Sequence, residues 1–173
     1  GIDGLFGCYA ISFLIILLLC FNMKIEIKNF IFYLIIFTSF ITFLNFKKKL
    51  FFGNSGSLML AAFFPYLILY LNSQRDNSIT AISFLSLVLI PILDMVRLFC
   101  WRLYLRKSPF EKDLNHFHHI LLKNNNLFIT ILIYLLLCFF PFLLIIYDYL
   151  DPVFAIIIQF TSFFGLIYYN LKK

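Results

Sequence analysis

The sequence predicts an all-α fold, a polytopic bundle of about six transmembrane helices, and both composition and hydropathy support this prediction. Of the 173 residues, 63% are hydrophobic and 13% are charged, and the mean hydropathy is +0.98. Soluble domains carry roughly 45–50% apolar and 25% charged residues, so a soluble fold of this length would lack the polar residues to cover its surface. The excess apolar side chains must face lipid. We expect helices because lipid offers no partner for open backbone groups.

Six apolar runs approach the roughly 20 residues that a spanning helix needs. With approximate bounds they are Leu5–Phe21, Phe30–Phe46, Ser57–Leu71, Ile79–Trp101, Leu127–Tyr147 and Val153–Tyr169. The third run is the shortest, and Gly53 and Gly56 before it allow its helix to begin earlier. Because we find no internal repeat and no low-complexity linker, we predict one transmembrane domain over residues 1–173, with loops at about 47–56 and 102–126.

The lysines and arginines between the runs predict the orientation of the bundle. Connections on one side carry eleven of the fourteen basic residues, and those on the other side carry three, which are Lys24, Lys28 and Arg75. Because cytoplasmic loops accumulate Lys and Arg, we expect both predicted loops and the C-terminus at the cytoplasmic face of the inner (plasma) membrane. This asymmetry explains the net charge of +6 without nucleic acid, since the sequence has no basic stripe with interleaved aromatic residues.

Most polar and ionisable side chains collect in three segments on the predicted cytoplasmic side. Asp3 stands at the mouth of the first run. A small polar segment precedes the third run and consists of Gly53, Asn54, Ser55, Gly56 and Ser57. All three histidines of the chain follow the fourth run, and they are His116, His118 and His119. We therefore predict that these segments meet at one rim of the bilayer around a shared anion.

Each segment also has an ordinary interpretation. Asp3 is favourable at a helix N-terminus through the helix dipole. The composition of the 53–57 segment is typical of turns, although a glycine-flanked turn at a helix start also forms a phosphate-sized nest of backbone amides. The histidines suit a solvated loop, and a zinc site is disfavoured because no cysteine or glutamate stands at ligand spacing nearby. Asp94 and Arg97 suit a structural pair that orients the loop after the fourth run.

The histidine segment predicts an amphipathic helix at the membrane interface if Asp113–Lys123 is helical. Its apolar stripe would contain Leu114, Phe117 and Leu121. Its basic stripe, facing an anionic ligand, would contain Lys112, His116, His119 and Lys123, with His118 off the stripe.

Three motifs in one order carry a family resemblance. They are Gly1-Ile2-Asp3-Gly4-Leu5, then Gly53-Asn54-Ser55-Gly56-Ser57, then Ser108-Pro109-Phe110 leading to His116-Phe117-His118-His119. They resemble the end of an Asp-Gly-x-Asp-Gly-Leu motif, a Gly-Asp-x-Gly-Ser loop and a Ser-Pro-Phe to His-x-His-His segment. That set is typical of the C-terminal half of the polyprenyl-phosphate N-acetylhexosamine-1-phosphate transferases (glycosyltransferase family 4). The histidine pattern is more similar to the UDP-N-acetylglucosamine branch than to the muramoyl-pentapeptide branch.

The resemblance implies a membrane enzyme that begins cell-wall, lipopolysaccharide or other surface-glycan synthesis. Such an enzyme transfers a sugar-1-phosphate from a UDP-sugar to a polyprenyl phosphate such as undecaprenyl phosphate, releases UMP and uses Mg²⁺. The resemblance implies catalytic roles for Asp3, His116, His118 and His119, and a metal position at Asn54. It implies substrate binding by Gly53, Ser55, Gly56, Ser57, Arg102 and Asp113. Membrane lipid is the expected surrounding, and the oligomeric state is left open between monomer and homodimer.

Two departures from the family pattern bear on activity. Asn54 replaces the loop aspartate, and since an amide oxygen brings no charge, we expect weaker metal binding. The family's earlier aspartates would precede Gly1, so we expect residues 1–173 expressed alone to be inactive. The main alternative is a non-catalytic membrane relative or scaffold that retains the lipid-carrier fold. An unrelated transporter is disfavoured, because it would place ionisable residues near mid-membrane.

Overall fold

A computed structural model of the chain describes residues 4–73, 80–108 and 115–172. Within these ranges the chain is all-helical, with no strand, as the sequence predicted. The helices are α1 (Leu5–Cys20), α2 (Ile25–Phe46), α3 (Gly53–Asn72), α4 (Ala81–Tyr104), α5 (Phe117–Asn124), α6 (Leu127–Ile146) and α7 (Pro152–Lys172). In the described part, α2, α3, α4, α6 and α7 are long and apolar enough to cross a membrane, and α1 is a shorter apolar helix. The chain is therefore a polytopic membrane protein.

Four of the described helices, α2, α3, α4 and α7, extend beyond the predicted apolar runs, whereas α1 and α6 each end one residue earlier than predicted. Helix α2 begins at Ile25, five residues before the predicted start at Phe30, and α3 begins at Gly53. The predicted loop 47–56 is correspondingly shorter, since residues 53–56 belong to the first turn of α3. Helix α4 continues to Tyr104 and α7 to Lys172. Hydropathy marks only the part of a helix that suits hydrocarbon, whereas helical hydrogen bonding continues into the polar interface.

The described helices group into two compact units, α1–α3 and α4–α7. In the first unit, α2 has a polar inward face, where Thr38, Thr42 and Asn45 are buried. Its outward face is apolar, with Phe37 and Phe40 each 61% exposed. This arrangement suits a helix that meets lipid on its outside and packs through small polar groups on its inside. That all 173 residues form one transmembrane domain stays a prediction.

Small and aromatic residues hold the first unit together. A Cβ added at Gly7 of α1 would overlap the side chain of Thr42, so the two backbones approach closely because residue 7 has no side chain. Helix α3 joins the unit by stacking of Phe64 on Phe13, with ring centroids 4.2 Å apart.

A buried glutamine ties the helices of the second unit. The Nε2 of Gln159 in α7 donates to the carbonyl of Ser86 in α4 and to that of Leu137 in α6, both at 2.9 Å. In an uninterrupted helix the Leu137 carbonyl would accept from the N–H of residue 141, but Pro141 has none. Gln159 therefore satisfies a carbonyl freed by proline while joining three helices.

Helix α4 ends in a tight turn at residues 105–107. Arg106 adopts a left-handed conformation with φ 56°, and the N–H of Lys107 donates to the carbonyl of Arg102 at 2.9 Å. This is the six-residue hydrogen bond of a Schellman motif, which satisfies a carbonyl at the helix end.

Candidate functional site

The second unit contains a polar cluster built around a buried carboxylate in α4. Asp94 is 6% exposed and accepts hydrogen bonds from three groups. Its Oδ1 accepts from Arg97 Nη2 at 2.8 Å and from the backbone N–H of Phe117 at 2.9 Å. Its Oδ2 lies 3.0 Å from Nδ1 of His116. Two of these three partners belong to the histidine segment, so Asp94 attaches that segment to α4.

Arg97 makes a second attachment between α4 and the histidine segment. Its Nη2 donates to Asp94 and also to the backbone carbonyl of Asn115. The predicted pair three residues apart is therefore confirmed, and it holds the chain that follows α4. The side-chain charges of the pair balance each other inside an otherwise apolar helix, as is usual for ionisable groups at membrane depth.

Helix α5 begins at Phe117, not at Asp113 as predicted, and Asn115 and His116 are not helical. The physical reason is that Asp94 takes the N–H of Phe117, which places the start of the helix at this residue. His116 lies before the helix and is not part of a helical face. The predicted basic stripe, which included His116, therefore does not form. Phe117 and Leu121 of the predicted apolar stripe are buried, and Leu114 lies outside the described residues.

The other contacts of α5 fix it on α6 and α7. The ring of Phe117 packs on Phe163 of α7, with centroids 4.8 Å apart, and lies 6.1 Å from Tyr134 of α6. At the end of α5, Nδ2 of Asn124 donates to the carbonyl and to Oδ1 of Asn170, both at 3.0 Å. Both ends and the apolar face of α5 are thus anchored, which makes the helix a rigid platform for the histidines.

The three imidazole rings form one histidine cluster beside Asp94. The rings of His116 and His118 are stacked at 7°, with centroids 5.4 Å apart, whereas those of His118 and His119 are tilted by 46°, with centroids 4.5 Å apart. Burial, together with the neighbouring His119 and His116, lowers the pKa of His118 to about 4. His118 is therefore neutral at physiological pH.

A second polar cluster lies in the first unit, at the start of α1. Oδ1 of Asn45 accepts the backbone N–H of Gly4, and its Nδ2 donates to the carbonyl of Leu50 at 3.0 Å. The rings of Phe6 and Phe52 meet edge to face, with centroids 5.3 Å apart. Asn45 therefore brings the start of α1 next to the residues that lead into α3. Gly4, the described residue of the first motif that Asn45 holds, therefore lies close to the segment that precedes the second motif.

Gly4 fits this cluster because no other residue can replace it without strain. Its φ is +79°, and an added Cβ would overlap the ring of Phe46. A left-handed conformation and a close ring contact together favour glycine at this position.

The 53–57 segment forms the N-terminal turn of α3. Gly53 has a φ of +63°, and the hydroxyl of Ser57 donates to its carbonyl at 2.8 Å. Ser55 is exposed. A helix start of this kind leaves backbone amides without intrahelical partners, as the predicted phosphate nest requires. The side chain of Asn54 lies outside what the structure describes.

The remaining predicted site residues are divided between the described and undescribed parts of the chain. Asp3 and Asp113 lie outside the described residues, as do Pro109 and Phe110 of the third motif. Arg102 is in the last turn of α4, eight residues beyond Asp94, which is about 12 Å of helical rise. The meeting of all three segments at one rim stays a prediction.

Sequence reasoning did not assign three of these residues to the site: Asp94, Arg97 and Asn45. A signal for the first two was present, because an acid and a base three residues apart in an apolar run are expected to be functional or paired. Asn45 had only a weak signal, an amide beside the cluster Lys47–Lys49. Its two bonds depend on tertiary structure and cannot be read from spacing.

An apolar groove runs between α4 and α7 in the second unit. Its volume is about 700 Å³, and its lining includes Val96 and Cys100 from α4 and Phe160 and Phe164 from α7. Arg97 is the one charged residue among the described residues that line it. The groove therefore adjoins the side chain that also holds the histidine segment.

A metal site of protein ligands is not assembled by the described residues. Across 4–73, 80–108 and 115–172, no group of three or more His, Cys, Asp or Glu side chains could hold a metal ion. Both carboxylate oxygens of Asp94 are already paired with nitrogen atoms of the protein.

These features define a multi-pass membrane protein with polar clusters built at helix ends. Comparison with curated proteins finds distant relatives of one name, undecaprenyl-phosphate alpha-N-acetylglucosaminyl 1-phosphate transferase. The Salmonella typhi protein is 31% identical over 77 residues, covering 44% of this chain and 21% of the relative. The Escherichia coli (strain K12) protein is 26% identical over 184 residues, covering 100% of this chain and 50% of the relative. The Pasteurella multocida (strain Pm70) protein is 29% identical over 77 residues, covering 44% and 22%.

The chain thus spans about half the length, or less, of the curated relatives it matches. It is distantly homologous to these transferases, which agrees with the resemblance to polyprenyl-phosphate sugar-1-phosphate transferases. The assignment to glycosyltransferase family 4 stays a prediction. No protein-family model matches the sequence. No solved structure gives a significant match.

Proposed function

We propose that this chain belongs to a membrane transferase that moves an N-acetylhexosamine-1-phosphate from a UDP-sugar to a polyprenyl phosphate. A phosphate oxygen of the lipid attacks the β-phosphorus of the UDP-sugar. The bond from that phosphorus to the oxygen bridging the α-phosphorus breaks, and UMP leaves. The sugar-1-phosphate stays on the lipid as part of a diphosphate. The reaction would begin cell-wall or surface-glycan synthesis at the cytoplasmic face of the inner membrane.

The observation that carries the proposal is the anchored histidine cluster beside Asp94 and Arg97. Phosphoryl transfer needs in-line positioning of the reactants and positive charge against the phosphate oxygens. A short helix held at both ends supplies the positioning, and His116 and His119 supply imidazole nitrogens, beside the Arg97 guanidinium, that suit a diphosphate. His118, which is neutral, would serve as a stacking partner for His116.

The lipid acceptor is supported by the groove between α4 and α7. A polyprenyl phosphate has a long apolar tail and an anionic head, and the groove has an apolar lining with Arg97 as its charged member. A tail lying in this groove would bring its phosphate to Arg97, beside Asp94 and the histidine segment. The names of the distant relatives specify undecaprenyl phosphate, and we propose a lipid of that class here.

The first unit carries a second cluster that suits phosphate binding. Asn45 joins the start of α1 to the segment that leads into α3, through Gly4 and Leu50, and Asp3 directly precedes Gly4 in the sequence. The backbone amides in the first turn of α3 and the exposed Ser55 suit a phosphate. The basic residues predict the same cytoplasmic face for these ends and for the histidine loop.

Magnesium is proposed on the chemistry of the reaction, since it would offset charge on the transferred phosphate. Its ligands would be substrate phosphates and carboxylates outside the described residues, such as Asp3, with the Asn54 position as a further oxygen donor. The described residues do not form a metal site by themselves.

A non-catalytic relative is the second candidate, and Asn54 favours it. Where the resembling family has a charged metal ligand, this chain has a neutral amide. Such a protein would bind the lipid carrier without transferring sugar phosphate.

The test is UMP release by the full-length protein in membranes supplied with polyprenyl phosphate and a panel of UDP-sugars. Magnesium-dependent release with an N-acetylhexosamine donor supports the transferase. If no UDP-sugar gives UMP while the lipid still binds, the non-catalytic candidate is correct. In the active case Asn54→Asp is expected to leave turnover equal or higher and to lower the magnesium requirement, because it restores a charged ligand.

A further inference from the structure

We propose that Asp94 is a positioning residue that fixes the ring and the tautomer of His116, so that Nε2 of His116 meets the phosphates of the substrate. This inference rests on the proposed function and deepens it. It gives a role to a membrane-helix carboxylate outside the three motifs.

The two oxygens of one carboxylate hold two adjacent points of the chain. Oδ2 lies 3.0 Å from Nδ1 of His116, and Oδ1 accepts the N–H of Phe117 at 2.9 Å. The ring is therefore held at its side chain and at the peptide that follows it. Rotation about the side-chain bonds of His116 would break one of these contacts, so the ring has one preferred orientation.

The pairing also determines which ring nitrogen carries the hydrogen. A carboxylate paired with a guanidinium, as Asp94 is with Arg97, acts only as an acceptor. Nδ1 of His116 must then be the donor, and Nε2 is left with its lone pair or, in the imidazolium, with an N–H. Among the described residues Nε2 of His116 has no hydrogen-bond partner, and the side chain is 40% exposed.

The surroundings of His116 leave Nε2 as its available polar atom. Among the described residues, the charged or titratable groups next to the ring are Asp94 and Arg97 from α4 and His118 from α5. His118 stacks on one face of the ring at 7° and cannot compete for Nε2 in that geometry. In this orientation Nε2 can donate to a phosphate oxygen when the ring carries a second proton, and in the neutral ring its lone pair can take a proton from the substrate phosphate.

Asp94→Asn separates this role from the structural one. The amide oxygen can still accept from Phe117 and Arg97, so the start of α5 remains capped. The amide nitrogen can only donate, so it can bond Nδ1 only if the hydrogen of the neutral ring moves to Nε2. The substitution therefore keeps the fold and reverses the tautomer, as it does in Ser-His-Asp enzymes, where the rate falls by about 10⁴.

The experiment uses the full-length protein in nanodiscs with ¹⁵N-labelled histidine, and His116→Gln assigns the signal. At a pH where His116 is neutral, we expect the Nδ1–H tautomer in the wild type and the Nε2–H tautomer in Asp94→Asn. Turnover should fall by roughly 10²–10⁴-fold in kcat with a much smaller change in KM. The matched control is Asp151→Asn at the α7 cap, where Asp151 accepts the N–H of Val153 at 2.8 Å, and it should change neither readout.

An Nε2–H tautomer in the wild type would overturn the proposal, and so would wild-type kcat in an Asp94→Asn protein whose tautomer has reversed. If the proposed function itself is wrong, the experiment gives a different result. The wild type then releases no UMP, even when both tautomers are as expected.

Discussion

The carboxylate of Asp94 in α4 accepts the backbone N–H of Phe117, the first residue of α5, at 2.9 Å. The first turn of a helix has four N–H groups without intrahelical partners, and a carboxylate there also meets the positive end of the helix dipole. A residue 23 positions earlier in the chain therefore caps the histidine helix. The position of the histidines depends on this tertiary contact more than on local sequence.

Loss of this cap is expected to loosen α5. In Asp94→Ala the N–H of Phe117 and the guanidinium of Arg97 lose their acceptor, which costs about 1–3 kcal/mol for such buried groups. Amide hydrogen exchange over 117–121 should become roughly 10-fold faster or more. Asp94→Asn, which keeps an acceptor oxygen, should exchange nearly as slowly as the wild type. Equal protection in Asp94→Ala would contradict the cap.

Removal of the Asn45 bridge is expected to impair the first unit and the proposed activity together. Asn45→Leu deletes both the acceptor for Gly4 and the donor to Leu50, at a cost of about 1–3 kcal/mol in the free energy of unfolding. Transferase turnover in the full-length protein should fall roughly 10-fold or more, because the start of α1 and the segment that leads into α3 lose their common anchor. Asn45→Asp keeps the acceptor for Gly4, so its turnover should lie between that of the wild type and that of Asn45→Leu. Wild-type turnover in Asn45→Leu would show that this cluster does not serve the site.

His118 is expected to make the folded state less stable in acid. Its pKa is about 4 in the folded chain against an ordinary value of 6.5, so the unfolded chain binds a proton that the folded chain rejects. Stability from this residue is complete above pH 6.5 and declines as the pH falls toward 4, by on the order of 2 kcal/mol after allowance for solvent that reaches the ring. Thermal unfolding midpoints of wild type and His118→Gln, measured from pH 7.5 to 4.5, should converge as the pH falls. A constant difference would mean that His118 titrates normally.

Gln159 is expected to stabilise the second unit through its tertiary hydrogen bonds. Gln159→Met keeps the approximate volume but removes the donor to the Ser86 and Leu137 carbonyls, and should lower the unfolding free energy by about 1–2 kcal/mol. Thr161→Val is the control, because the Thr161 hydroxyl bonds only carbonyls of its own helix at an exposed position. Denaturation in detergent gives the unfolding free energy of both variants. An effect of Thr161→Val as large as that of Gln159→Met would contradict the assigned role.

The fold class could be predicted because membrane helices are encoded by long apolar runs. Five such helices and the shorter α1 were recognised, but Ile25 and Gly53 show why helix starts were missed. Both lie in polar stretches where hydropathy falls and the helix nevertheless continues. Local composition does not report how far hydrogen bonding extends beyond the hydrocarbon region.

The site could be predicted only as far as its motifs. The sequence indicated the histidines, and it marked Asp94 and Arg97 as a pair, but it could not say that the pair would hold His116 and Phe117. That contact depends on the turn after Tyr104 and on the packing of Phe117 against Phe163, which are long-range features. The helix start at Phe117 was missed for the same reason, since its capping residue belongs to another helix.

In the proposed reaction the sugar and the β-phosphate of the UDP-sugar are transferred together to the lipid. An isotope at that phosphorus tests this directly. The full-length protein is given polyprenyl phosphate and a UDP-N-acetylhexosamine labelled at the β-phosphorus, and the label is followed between lipid and water. We expect magnesium-dependent transfer of the label into the lipid, with unlabelled UMP in water. Label that remains in water as UDP while sugar enters the lipid, or label that never leaves the UDP-sugar, would contradict it.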